Sequence, residues 1–169
     1  MIYNATLDKA SRAITVMFFV LFFIIAILPH FAAKSAGNQA YLLISIPFFV
    51  ILSITYCFSI KSYQITENDV VINRPFDKVI LDKSIIKNVS AIQNVNILLS
   101  IRSFGSGGMF GYFGIFWNKK FGKMTWYATR TNNVIIIETN LNKKILLTPN
   151  AHKKFFKELT ASYNLDKGV

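Results

Sequence analysis

The sequence predicts a two-helix transmembrane hairpin followed by a mainly β domain, a bent antiparallel sheet or barrel of about seven strands capped by a C-terminal α-helix. Three observations predict it. Two apolar runs, 13–33 and 41–60, carry no Lys, Arg, Asp or Glu. From Ser62 onward the apolar period falls to two, with turn-forming residues between the runs. Near the C-terminus, Phe155, Phe156, Leu159 and Tyr163 recur at helical spacing. The chain therefore divides into a hairpin over 1–60 and a β domain over 61–165.

A bilayer core needs roughly 20 apolar residues as helix, and each run meets that length. Ile2–Arg12 reads as a mixed polar lead, and the run behind it is longer than a secretory signal core. The short segment Lys34–Gln39 makes the two helices antiparallel neighbours. Pro47 reads as an ordinary membrane-helix proline, with a hinge as the functional alternative. Lys9 and Arg12 precede the first run, and Lys61, Arg74, Lys78, Lys83 and Lys87 follow the second, while the connection holds only Lys34. That bias predicts an integral inner (cytoplasmic) membrane protein with two spans and both termini in the cytoplasm.

In the β domain, Tyr63–Ile65 and Val70–Ile72 read as strands around the turn Glu67-Asn68-Asp69. Arg74-Pro75-Phe76-Asp77 reads as the next turn, because Pro presets φ and Asp favours turns. Lys78–Leu81 is another strand. Ser84–Ile92 reads as a strand, or as a short helical turn followed by one. Ile97–Phe104 is a strand with Ile97, Leu99 and Ile101 on one face. Met124–Arg130, Val134–Thr139 and Lys144–Leu147 are strands, and the Asn-rich links between them predict antiparallel hairpins. The closing helix covers about 149–163, with Thr148 or Asn150 as its cap and Pro149 at its first position.

Charge is concentrated behind the helices. Of 19 Lys and Arg, 16 lie in Lys61–Val169, against 7 of the 8 Asp and Glu. A basic domain tethered to a bilayer meets anionic headgroups most simply, each basic residue contributing about 1 kcal/mol near the surface. No helix carries a dense basic face and no zinc-finger or helix-turn-helix pattern is present, so nucleic acid is not a predicted partner. Cys57 stands alone inside an apolar run and reads as a small packed hydrophobe.

The order and spacing of these stretches resemble the bacterial pleckstrin-homology (PH)-like domains that sit behind transmembrane helices. The matching stretches are Tyr63–Thr66, Val70–Phe76, Arg102 with the Gly-rich 105–114 segment, Tyr127–Arg130, Ile135–Thr139 and Leu147–Pro149 before the helix. The resemblance covers roughly Lys61 to Tyr163 and implies a PH-like fold. Phosphoinositide-binding PH domains share a basic cluster flanking the first hairpin turn. Here that turn is the acidic Glu67-Asn68-Asp69, so the inositol phosphate site is not carried over.

The segment 104–117 holds five glycines, at 105, 107, 108, 111 and 114, with aromatics between them. It matches neither a phosphate-binding loop nor a dinucleotide fingerprint. The glycines permit positive φ and close backbone approach while aromatics fill core gaps. The alternative is a lip whose aromatics enter the membrane interface or grip a partner, followed by lysines that meet anionic lipid. On the second reading the membrane-contact or interaction residues are Phe104, Phe110, Tyr112, Phe113, Phe116 and Trp117, with Lys119, Lys120 and Lys123 behind them.

No nucleophile–base set or metal-ligand spacing can be assembled around the two histidines, His30 and His152, so no catalytic, cofactor or metal residue is assigned. The predicted role is a membrane-anchored, non-enzymatic PH-like domain that mediates protein interaction or self-association at the cytoplasmic face of the bilayer. The alternatives are a module sensing anionic lipid or a small ligand, and an accessory subunit of a membrane transporter or enzyme complex.

Overall fold

The computed structural model describes the backbone of residues 1–32, 40–94 and 100–166, and the side chains of 1–25, 27, 46–93 and 100–162. In chain order the elements are β1 (Ile2–Asn4), α1 (Lys9–Ala32), α2 (Ala40–Cys57), β2 (Ser62–Ile65), β3 (Asp69–Asn73), β4 (Lys78–Asp82), β5 (Ile86–Asn94), β6 (Ser100–Gly108), β7 (Gly111–Asn118), β8 (Gly122–Ala128), β9 (Asn132–Thr139), β10 (Lys144–Leu147) and α3 (His152–Asp166). A single 3-10 turn, Lys83–Ile85, leads into β5, so both forms expected near Ser84 occur in succession.

Two sheets hold the domain. The first runs β1-β2-β3-β4 and the second β5-β9-β10-β8-β7-β6. Among the described residues ten strands therefore stand where about seven were expected. β1 was expected as a polar lead. Instead it pairs with β2, Tyr3 opposite Tyr63, and buries Tyr3 in the core. A three-residue strand has too little pattern to show itself locally; its partner lies some sixty residues away.

The pairing of the last strands also departs from expectation. β8 and β9 do not form a hairpin. β10 lies between them, antiparallel to β9 and parallel to β8, with Leu147 opposite both Ile135 and Tyr127. The physical reason is burial on both faces. Leu146 and Leu147 point to opposite sides of the sheet and both are fully buried, so the strand belongs at a centre rather than an edge.

One core cluster fills the space between the sheets and α3: Tyr63, Val70, Ile72, Ile135, Ile137 and Leu147 meet Phe155 and Leu159 of the helix. Phe155 sits edge-on to Tyr3 at 5.0 Å. Burying such side chains is worth roughly 1.5–3 kcal/mol each. The second cluster comes from the other face of the six-stranded sheet and includes Tyr112, Phe116, Met124, Trp126, Ile136 and Leu146. Its buried members all come from strands of that one sheet. Ile60, expected at the end of the second membrane run, is instead buried in the first cluster, and α2 stops at Cys57.

α3 begins at His152, three residues later than expected, because its presumed caps are used elsewhere. Thr148 Oγ1 accepts from Thr129 N–H at 2.8 Å, and Asn150 Oδ1 accepts from Thr6 N–H at 3.0 Å and from Arg130. Lys83 is buried at the opposite end of this helix. Its ammonium donates to Thr66 O at 2.6 Å, Glu67 O at 2.9 Å and Ser162 Oγ at 2.7 Å. All three donors are used, so Lys83 ties the acidic turn to α3. Lys83→Met is expected to cost about 2 kcal/mol or more by stranding these acceptors, measured by thermal unfolding of the full chain.

Among the described residues no helix is long and apolar enough to cross a membrane. The described side chains of α1 end at Ile27 and those of α2 start at Ile46, whereas the expected spans 13–33 and 41–60 reach past both limits. The expected connection 34–39 lies outside the described residues except at its neighbours, as do Ile97 and Leu99 of the expected strand and the side chain of Tyr163.

Candidate interaction site at the helix–sheet junction

The Gly-rich segment is an ordered hairpin, β6 and β7 joined at Met109–Phe110. Its glycines serve close packing. Gly105 lies directly opposite Gly114, with φ of +114° and +119°. A Cβ on either would fall 2.7 Å from the other's Cα and within the van der Waals shell of a backbone oxygen. A bulge between Arg102 and Phe104 shifts the register beyond that point.

The hairpin divides the nine sequence-predicted site residues. Tyr112, Phe113 and Phe116 are buried, and Phe116 stacks on Trp126 at 4.4 Å. Phe104 and Trp117 are exposed, as are Lys119, Lys120 and Lys123 at the β7–β8 end. Phe110 sits at the opposite, helix-facing end, its ring 5.8 Å from Phe19 and 5.5 Å from Tyr56. The nine therefore do not form one patch. Alternation along a strand sends neighbours to opposite faces, and β7 separates Phe110 from the lysines by its full length.

What the sequence analysis did not single out is the joint between α1 and this hairpin. Asp8 Oδ1 accepts the Ser11 N–H at 2.7 Å, the pattern of a helix N-cap. Ser11 Oγ donates to Gly108 O at 2.5 Å. Thr15 Oγ1 donates to Ser11 O at 2.7 Å and accepts the Phe110 N–H at 2.9 Å. Tyr112 OH reaches both Asp8 carboxylate oxygens at 3.3 and 3.4 Å. Burial, then the charge of Asp8, pushes the Tyr112 hydroxyl up to about 12. Ser11 and Thr15 lie one turn apart at the head of an apolar helix, and that spacing was the available signal.

Beside the joint lies a groove of about 700 Å³ between the two helices and the face of β6, β7 and β8 that carries Phe113 and Tyr127. Ile14 and Phe18 of α1, with Ile51, Ile54 and Phe58 at the end of α2, give it apolar walls. Ser106, Thr125 and Tyr127 line the sheet side, and Arg74 and Arg102 are its cations. Among the described residues no carboxylate lines it. Arg74 is held between two rings, its guanidinium carbon 5.2 Å from the centroids of both Phe58 and Tyr127. Its side chain is 10% exposed; Nη1 meets Asp77 Oδ2 at 3.2 Å, and Nε is buried without a partner. Arg102 runs along β6, where a Cβ on Gly107 would come within 3.1 Å of its Nη1. Among the described residues no acid forms an ion pair with it.

A second cavity of about 550 Å³, lined by Phe22, Phe23, Phe49, Leu52 and Phe110 among others, is almost wholly apolar. Among the described residues no group of three His, Cys, Asp or Glu is placed to hold a metal ion.

The family described as Bacterial PH domain matches residues 61–162, more than half of the chain. No curated protein and no solved structure matches.

Proposed function

The chain belongs to the bacterial PH domain family, and from that premise we propose that it is a membrane-anchored, non-enzymatic interaction module. Domains of this kind are generally non-catalytic and commonly bind proteins or lipids. In this reading α1 and α2 sit in the cytoplasmic membrane with both termini in the cytoplasm. The β domain, bolted to α1 through Asp8, Ser11 and Thr15, offers a strand edge to a protein partner or a second copy.

Support for the membrane half comes from the surfaces of the helices. Val16, Met17, Val20 and Phe23 of α1 and Phe49, Val50, Ile51 and Ile54 of α2 are about half exposed or more. Contiguous apolar surface of this kind needs lipid or protein cover. Lys61 places its ammonium 4.5 Å from the Tyr56 ring centroid at the end of α2, where aromatic and basic residues suit the headgroup level.

The observation that carries the interaction half is β6. It is the outer strand of the six-stranded sheet, and residues 101–105 are exposed in succession. Ile101 is 66% and Phe104 76% exposed, with a single charge, Arg102, between them. Edge strands are ordinarily blunted by charge, proline or cover. An open apolar edge is suited to strand addition, in which backbone hydrogen bonds give affinity and side chains give selectivity.

The test is the mass of the full-length complex in mild detergent. The expected result is a stable oligomer or a stoichiometric heteromer that dissociates in Ile101→Lys/Phe104→Lys, with the unfolding midpoint of the chain little changed. A wild-type monomer, or an assembly indifferent to both lysines, would overturn the interaction half.

A further inference from the structure

We propose that the groove between the helices and β6–β8 binds an anionic phospholipid of the surrounding membrane, its phosphate between Arg74 and Arg102 and one acyl chain against Phe18, Ile51 and Ile54. This rests on the membrane-anchored reading above.

Two kinds of complementarity identify the occupant. Arg74 and Arg102 both line the groove, no carboxylate among the described residues does, and Asp77 occupies only one nitrogen of Arg74. The Arg74 Nε is buried and has no acceptor. Burying a charged donor without an acceptor is costly, which favours an anion beside Arg74. Guanidinium groups offer forked donors that match phosphate oxygens. Clamping by Phe58 and Tyr127 fixes the plane of Arg74 in advance, which lowers the ordering cost of capture.

The other end excludes a small soluble anion as the ligand that fills the site. Ile14, Phe18, Ile51, Ile54 and Phe58 come from the helix ends next to the β domain, and their walls run into the exposed apolar faces of α1 and α2. A ligand with a charged head and a hydrocarbon tail satisfies both ends at once. The size agrees, since about 700 Å³ falls within the range of ordinary small-molecule sites. The level agrees too: Lys9, Arg12 and Lys61 flank the same helix ends, where phosphates of the cytoplasmic leaflet would lie. The lysines at 119, 120 and 123 take no part, because they stand at the far end of β7.

The experiment uses the full-length protein, delipidated in detergent and offered dioleoyl phosphatidylglycerol and dioleoyl phosphatidylcholine at equal concentration, with retained lipid counted by native mass spectrometry. The expected result is one phosphatidylglycerol held per chain in preference to phosphatidylcholine, the preference falling about tenfold in Arg102→Gln. Arg102 is exposed and makes no ion pair among the described residues, so this variant keeps the fold. Ile54→Trp, which obstructs the apolar wall, should weaken both lipids. A Lys119→Gln/Lys120→Gln/Lys123→Gln variant should retain the preference. Equal retention of the two lipids, a preference that survives Arg102→Gln, or one lost in the triple lysine variant would overturn the site. Displacement by glycerol phosphate as effective as by the whole lipid would also overturn it, by showing a soluble-anion site. Carbonate extraction of native membranes separates the two readings. A chain released by carbonate defeats the membrane-anchored premise, whereas an integral chain without lipid preference defeats only this inference.

Discussion

Gly114→Ala is expected to destabilise the protein by about 3 kcal/mol or more, because it adds overpacking to backbone strain at one point. Gly114 holds φ of +119°, a region that side chains rarely adopt, and it faces Gly105 across the hairpin. The new methyl group would meet the Phe104 carbonyl oxygen and lie 2.7 Å from the Gly105 Cα. Neither atom can give way without moving β6. Gly105→Ala should behave alike, and the double variant should cost less than the two together, since both force open the same strand pair. Gly122→Ala is the control. It has positive φ, +72°, but nothing within 4 Å of the added group, so it should cost only about 1–2 kcal/mol. Thermal unfolding of the full chain measures all four. Equal losses at 114 and 122 would show that close strand approach is unimportant and that backbone conformation alone matters.

The second large effect is expected at Tyr63. Its hydroxyl donates to Tyr127 O at 2.6 Å and accepts the Thr148 N–H at 3.2 Å, while Thr148 Oγ1 accepts the Thr129 N–H. Tyr63 and Thr148 are both fully buried, and the network holds the point where β10 leaves the sheet. Tyr63→Phe removes one oxygen and strands two buried backbone groups, an expected loss of about 3 kcal/mol. A second readout comes from pH. Burial, opposed by the Thr148 hydrogen bonds, pushes the Tyr63 hydroxyl from 10.0 up to about 12. Burial, then Glu158, raises Tyr3 to about 12 as well. The fold thus keeps these protons while the unfolded chain releases them from about pH 10. Stability should be level below pH 10 and fall between pH 10 and pH 12. Tyr63→Phe should flatten that fall. A wild-type melting temperature unchanged across this window would contradict the assignment.

Particular residues show how much was legible in advance. The hairpin β2–β3 was readable because Tyr63, Ile65, Val70 and Ile72 alternate around a short turn. α3 was readable from Phe155 and Leu159, although its start was not, since Thr148 and Asn150 serve partners far away in sequence. The glycines at 105 and 114 were readable as points of close approach. That they face each other depends on a register set by the bulge near Arg102. The groove was invisible, because Arg74, Arg102, Phe18 and Ile54 come from four separate segments of the chain and no local pattern links them.

By itself the sequence determined what depends on neighbours along the chain: two apolar helices, a run of alternating strands and a closing amphipathic helix. Only the tertiary structure decided what depends on distant pairing. It drew Ile2–Asn4 into the first sheet, placed β10 between β8 and β9, left β6 as an open edge, and set Arg74 and Arg102 against the helix ends. Local periodicity reports which face of an element is apolar, whereas the element that covers that face is selected by packing across the whole molecule.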